Sequence, residues 1–116
     1  MKAMPPLGMG TYRLTGDTAY QTVLTGLELG YRHIDTAQLY DNEEAVGRAI
    51  AASSVAREDI FLTTKIWFDK LGEADFLPSV EESLRKLQVP NIDLLLTHWP
   101  SPGEHPMEEY LGRLAR

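Results

Sequence analysis

Apolar positions along this chain switch between two periods, and the switch repeats. Leu7 to Thr11, His33 to Ala37, Ile60 to Ile66 and Ile92 to Trp99 are short apolar runs of the kind strands use. The third, IFLTTKI, is rich in β-branched residues, and the fourth, IDLLLTHW, is nearly continuous in its apolar character. Between the runs the spacing becomes helical. Tyr20, Val23, Leu24 and Leu27 form one stripe, Val46, Ala49 and Ile50 a second, and Leu77, Val80, Leu84 and Leu87 a third. A last helix is expected from about Pro106 to Arg116.

Turn and cap residues divide these elements. Asp17 or Thr18 is expected to cap the first helix, with Thr18 and Gln21 at capping-box spacing. Asp41 or Asn42 should cap the second, with Asp41 and Glu44 in the same relation. The third helix should begin near Ala74 or Pro78, because proline is tolerated only around the first turn. Gly30 is a helix stop, and Pro100 and Pro102 should end the fourth strand. Gly26 costs its helix about 1 kcal/mol relative to alanine, which points to tight packing there. Gly8 and Gly10 suggest close backbone approach or an unusual turn.

Strands separated by roughly 20 to 30 residues, with helices between, imply right-handed crossovers and a parallel sheet. Near-continuous apolar strands suit a sheet covered on both faces. Two α/β architectures fit: an open doubly wound sheet, or part of a (β/α)₈ barrel.

Composition narrows the function classes. The 116 residues suffice for one domain and are 43% hydrophobic and 24% charged. The net charge of −6 repels phosphate backbones, so no general nucleic-acid partner is expected. Cysteine is absent, which excludes disulfides, thiolate catalysis and thiolate zinc sites and fits a reducing, cytoplasmic setting. No apolar run approaches the roughly 20 residues of a membrane span, and the N-terminus lacks the apolar stretch of a secretory leader.

In both architectures functional groups gather at the C-terminal ends of strands. Asp35, Lys65 and His98 each stand late in an apolar strand, and the loop after Asp35 carries Tyr40. Alternation places Lys65 on one face with Thr63 and Phe61, and His98 with Leu96 and Leu94. Taken singly, a strand-end lysine is ordinarily a solvated surface group, an aspartate a loop anchor, a tyrosine packing and a histidine a satisfied core residue. The set at successive strand ends is what points to chemistry. A buried lysine takes an aspartate as its natural partner. A lysine beside a phenol favours the phenolate, which suits tyrosine as a proton donor. A neutral histidine can hydrogen-bond and orient a carbonyl oxygen. Trp67 and Trp99 follow strand ends; core packing is the ordinary role for both, but two indoles at one mouth would also wall an apolar substrate. None of these groups supplies a hydride, so a cofactor must.

Other chemistries fit less well. Gly8-Met9-Gly10 is not the dinucleotide fingerprint, since Arg13 stands where the third glycine belongs. There is no nucleophile elbow or P-loop. His33, His98 and His105 lack metal-ligand spacing, so no metal is expected. Glu43-Glu44 and Glu81-Glu82 read as solvated helix faces or as partners of the helix dipole.

These motifs resemble the aldo-keto reductases along essentially the whole chain: GMGTYRL, YRHIDTAQLYDNEEAVGRAI, TTKIW and LLLTHWP. The nearest branch looks like the bacterial 2,5-diketo-gluconate and methylglyoxal reductases. The resemblance implies a (β/α)₈ barrel that binds NADPH without a Rossmann domain and reduces small aldehydes and ketones. It implies Tyr40 as general acid, Lys65 supporting it, Asp35 paired with Lys65, and His98 orienting the carbonyl. Gly10, Thr11, Tyr12 and Asp35 match cofactor positions; Tyr12, Trp67, Trp99 and His98 match the substrate pocket. The full-length form is expected to be monomeric.

Barrels of this kind run to about 250 residues, and only about the first four β/α units are written here. The family's later Ser-Asn pair, its Gln and the basic segment that grips the 2′-phosphate are missing. The chain is therefore expected to be the N-terminal portion of a longer enzyme, or a truncated relative. Alone it should not turn over substrate, and its open sheet edges should promote self-association. The competing expectation is a non-catalytic interaction or regulatory module on the same fold.

Overall fold

In a computed structural model, residues 2–99 are described. The expected helix from Pro106, and Pro100 and Pro102 as strand stops, lie outside them. The strands are β1 (Met9–Gly10), β2 (His33–Asp35), β3 (Phe61–Ile66) and β4 (Leu94–Thr97), and the helices are α1 (Gly16–Glu28), α2 (Glu43–Ala52) and α3 (Glu73–Leu87). All strand pairs are parallel, in the order β1-β2-β3-β4. The assigned strands are shorter than the apolar runs, yet the ladder continues past them. Thr11 N donates to Asp35 O at 3.1 Å, Thr36 N to Thr63 O at 2.9 Å and His98 N to Ile66 O at 2.9 Å.

Alternation divides the sheet into two faces. Met9, Ile34, Leu62, Ile66 and Leu95 point to the helices. They pack with Val23 and Leu27 of α1, Val46, Ala49 and Ile50 of α2, and Phe76, Val80, Leu84 and Leu87 of α3. Burying each such aliphatic side chain contributes about 1.5–3 kcal/mol, so this layer is the main source of stability. Because all three helices cover one face and the strand order never reverses, the doubly wound alternative is excluded. The arrangement is that of the first units of a (β/α)₈ barrel, whose other face is the barrel interior.

Close packing explains two helical glycines. A Cβ on Gly26 would lie 1.8 Å from Met9 Cε, as the cost of glycine there suggested. A Cβ on Gly47 would lie 2.6 Å from the backbone carbon and oxygen of Leu87, where α2 crosses α3. Gly30 ends α1 with φ +108°. Gly8 is also closely approached, because a Cβ there would meet His33 Nδ1 at 2.7 Å.

Some helix-end expectations hold and others fail. Thr15, not Asp17 or Thr18, is the α1 N-cap, and Thr18 lies within the helix, its N–H bonded to Thr15 O, so no capping box forms there. Asn42 occupies the α2 N-cap without a side-chain cap bond, and Asp41 adopts a left-handed φ of 54°. The α3 helix starts at Glu73, one residue from the expected Ala74, but it carries Pro78 past its first turn, where proline was not expected. Leu77 is exposed, and Phe76 takes the core position instead.

The N-terminal rim of the sheet is closed by an ion cluster. Asp93 accepts from Leu62 N (2.8 Å) and Arg57 Nη2 (2.9 Å) and pairs with Lys2 Nζ (3.0 Å). Its carboxyl is held below the ordinary range because these bonds outweigh the burial that opposes them. The opposite rim is left for function.

Candidate active site

Asp35 is the last residue of β2, Lys65 the fifth of β3, and His98 follows β4 directly. The register puts Asp35 beside Thr63 and Lys65 beside Leu96, so the three side chains share the interior face at the C-terminal rim. Lys65 Nζ donates to both Asp35 oxygens, at 2.8 and 2.7 Å, and to Thr36 O at 3.0 Å. These three acceptors use all of an ammonium's donors and fix where the charge lies.

Tyr40 is carried to the same point by a 3₁₀ turn, Gln38–Tyr40. The left-handed residue Asp41 then redirects the chain into α2. Lys65 Nζ lies 5.2 Å from the Tyr40 ring centroid, within cation–π range. The His98 ring meets Tyr40 edge-on at 5.5 Å and Trp67 edge-on at 5.3 Å. Trp67 contacts Trp99 at 5.5 Å, and Tyr12 contacts Tyr40 at 5.3 Å. All the singled-out side chains except Gly10 and Thr11 are thus linked to Tyr40 directly or through one neighbour.

Burial and, secondarily, the charge of Lys65 push the His98 imidazole down from its ordinary value, against a smaller opposing pull from Asp35. The ring is therefore neutral near pH 7 and carries one N–H. Its Nδ1 is buried without a hydrogen-bond partner among the described residues.

The β1 end leaves space beside these groups. A Cβ on Gly10 would touch nothing within 4 Å. Tyr12 presents an exposed ring there, while buried Thr11 donates both its N–H and its hydroxyl to Asp35 O. An open strand end, an exposed aromatic face and a fixed cation suit the flat, amide-bearing end of a nicotinamide cofactor. Among the described residues no group of His, Cys, Asp or Glu could hold a metal ion.

Three site-supporting residues escaped the sequence reading. Asn42 is buried; its Oδ1 accepts from Thr36 Oγ1 at 2.6 Å, and its Nδ2 donates to Thr11 O at 2.8 Å and Leu14 O at 2.9 Å. It ties the loops after β1 and β2 together instead of capping α2. Glu43 is buried rather than solvated, and accepts from Thr64 Oγ1 at 2.7 Å and Ser83 Oγ at 3.2 Å. Burial raises its carboxyl above the ordinary range despite those two bonds and nearby Lys86. Gln38 connects this cluster to Trp67 N. The only signal was position: polar residues where a strand-end loop meets a helix start.

Residues 6–116 match the model of the aldo/keto reductase family, and the chain belongs to that family. It is 51% identical over 112 residues to the methylglyoxal reductase DkgB of Salmonella typhi, covering 96% of this chain and 42% of that protein. It is 46% identical over 98 residues to the glycerol 2-dehydrogenase (NADP(+)) of Saccharomyces cerevisiae, covering 84% of this chain and 31% of that one. A crystal structure provisionally assigned as 2,5-diketo-D-gluconic acid reductase B superposes with a TM-score of 0.90 at 49% identity, over 94% of this chain and 38% of the other. The chain spans less than half the length of these relatives.

Proposed function

We propose that this chain forms the first four β/α units of a cytoplasmic reductase that uses NADPH to convert small aldehydes and ketones, such as methylglyoxal or 2,5-diketo-gluconate, to alcohols. The observation that carries the reading is the meeting of Asp35, Lys65, Tyr40 and His98 at one strand-end rim. Bound NADPH would supply the hydride, and Gly10, Thr11, Tyr12 and Asp35 would hold its nicotinamide end. Tyr40 gives its phenolic proton to the carbonyl oxygen as negative charge develops there. The Lys65 ammonium lies beside the ring and stabilises the phenolate left behind. Asp35 fixes Lys65 at two points, so the cation is in place before the reaction begins. Neutral His98 donates a hydrogen bond to the same oxygen and orients it. Tyr12, Trp67 and Trp99 exclude water and face the apolar part of the substrate.

The test is loss of NADPH absorbance with methylglyoxal, using the enzyme that carries this segment together with the remaining barrel. Tyr40→Phe should lower turnover by about 10³-fold, the range of a lost general acid, with cofactor affinity nearly intact. Undiminished turnover in that variant would remove Tyr40 from its role. The isolated chain should be inactive, since much of the cofactor's grip belongs to later units.

A further inference from the structure

Gln38 stands two residues before Tyr40, in the same 3₁₀ turn, and has no part in the proton chemistry. Both ends of its side chain are nevertheless engaged. Trp67 N donates to Gln38 Oε1 at 3.1 Å. Gln38 Nε2 donates to Ser79 O at 3.2 Å and to Ser83 Oγ at 3.1 Å. The amide can take only one orientation, because a peptide N–H only donates and a carbonyl only accepts. The Ser83 hydroxyl donates in turn to Glu43 Oε1, and Glu43 Oε2 accepts from Thr64 Oγ1. A continuous ladder therefore runs from a buried carboxylate between α2 and α3 to the backbone of Trp67.

Trp67 N begins the turn at which β3 leaves the sheet, so this bond sets where its indole stands. That indole contacts His98 and Trp99. The Trp67 indole also reaches Tyr40 by way of the His98 ring, a contact that constrains distance less sharply than a hydrogen bond.

We propose that Gln38 is a positioning residue that fixes the spacing between the Tyr40 turn and the Trp67 wall, and so sets affinity for the apolar part of a carbonyl substrate. The last clause rests on the reductase reading; the positioning of Trp67 does not.

Two measurements test it. With Trp99→Phe, Trp67 is the only tryptophan in the chain, which has two. In that background Gln38→Met, which keeps length but loses both polar ends, should red-shift Trp67 emission and increase its quenching by acrylamide. Leu39→Ala, at the exposed neighbouring position, should change neither. In the full barrel, retaining Trp99, Gln38→Met should raise KM for an aromatic aldehyde by about fivefold to tenfold, the worth of one hydrogen bond, with kcat within about twofold. If Gln38→Met does not fold, Ser83→Ala cuts the ladder one link earlier and should shift Trp67 emission the same way by less. Unchanged Trp67 fluorescence in a folded variant overturns the proposal, as does a fall in kcat with KM unchanged. Because the fluorescence measurement needs no turnover, failure of the reductase reading is recognised separately, as inactivity of the unsubstituted enzyme.

Discussion

Two polar clusters share β3 but stand on opposite faces of it. Thr64 points outward and joins Glu43, Ser83 and Gln38 beneath the helices; Lys65, the next residue, points inward to Asp35, Tyr40 and His98. In the outer cluster Thr64, Ser83 and Glu43 are almost fully buried, and each hydroxyl finds an acceptor. In the inner cluster the Lys65 and Asp35 side chains retain 15% and 33% of their exposure, and a buried nitrogen of His98 has no partner among the described residues. The outer network ties β3 to α2 and α3 through buried hydroxyls, so its effect is to hold the helices in place. The inner one keeps part of its surface open, as a site that must meet a substrate requires.

That contrast predicts opposite responses to removing one member. Lys65→Met takes the cation from the inner cluster while leaving Asp35 partly solvated. Turnover of the full barrel should fall by about 10³-fold, while stability of the chain should change by no more than about 1 kcal/mol, because an accessible pair is worth little. Glu43→Ala leaves two buried hydroxyls without their acceptor and opens a void, and urea unfolding should show a loss of about 3 kcal/mol. Equal stability losses in the two variants would mean that the clusters do not differ in kind.

Glycine packing extends the comparison to apolar contacts. Gly47→Ala should destabilise by about 2 kcal/mol even though alanine favours the helix, because the new methyl meets the backbone of Leu87 and Lys86, which cannot step aside. Gly26→Ala clashes with the flexible end of Met9 and makes an ordinary contact with the Tyr31 ring, so its net cost should be smaller, within about 1 kcal/mol. Thermal unfolding of both variants orders them; a reversed order would show that Met9 is the more rigid neighbour.

The inner cluster was legible in the sequence because strand alternation determines side-chain direction. Alternation groups Lys65 with Thr63 and Phe61, and His98 with Leu96 and Leu94; that the two groups form one face follows from the register, which sets Lys65 beside Leu96. The choice of a singly wound sheet was not legible from periodicity, since which face each helix covers depends on contacts such as Gly26 on Met9 and Gly47 on Leu87. The outer cluster was hidden for a related reason. Asn42 and Glu43 have the composition and position of a helix N-terminus, where exposed polar residues are ordinary, and only the tertiary approach of α3 through Ser83 buries them. Asn42 then forgoes side-chain capping because Thr36 and Thr11 offer it buried bonds and Leu14 a half-buried one.

The smallest effect expected is on the pH dependence of stability, where the two clusters should differ in sign. His98 is pushed down by burial and by Lys65, with Asp35 opposing. Its contribution is present above the unfolded value, 6.5, and is lost as pH falls through the folded one, since the unfolded chain then binds the proton more readily. Glu43 is raised, chiefly by burial, with Thr64, Ser83 and Lys86 pulling the other way and Glu82 adding to the rise. Its contribution is complete below the unfolded value, 4.5, and is lost as pH rises through the folded one, where the buried group must ionise. Urea unfolding at a series of pH values between these limits should therefore give steps of opposite slope. His98→Gln should remove the loss on acidification and leave the other step, and Glu43→Gln should do the reverse. If Glu43→Gln leaves the pH profile untouched, the outer carboxylate is no worse solvated in the folded chain than in the unfolded one. The distinction between a closed and an open cluster would then rest on hydrogen-bond geometry alone.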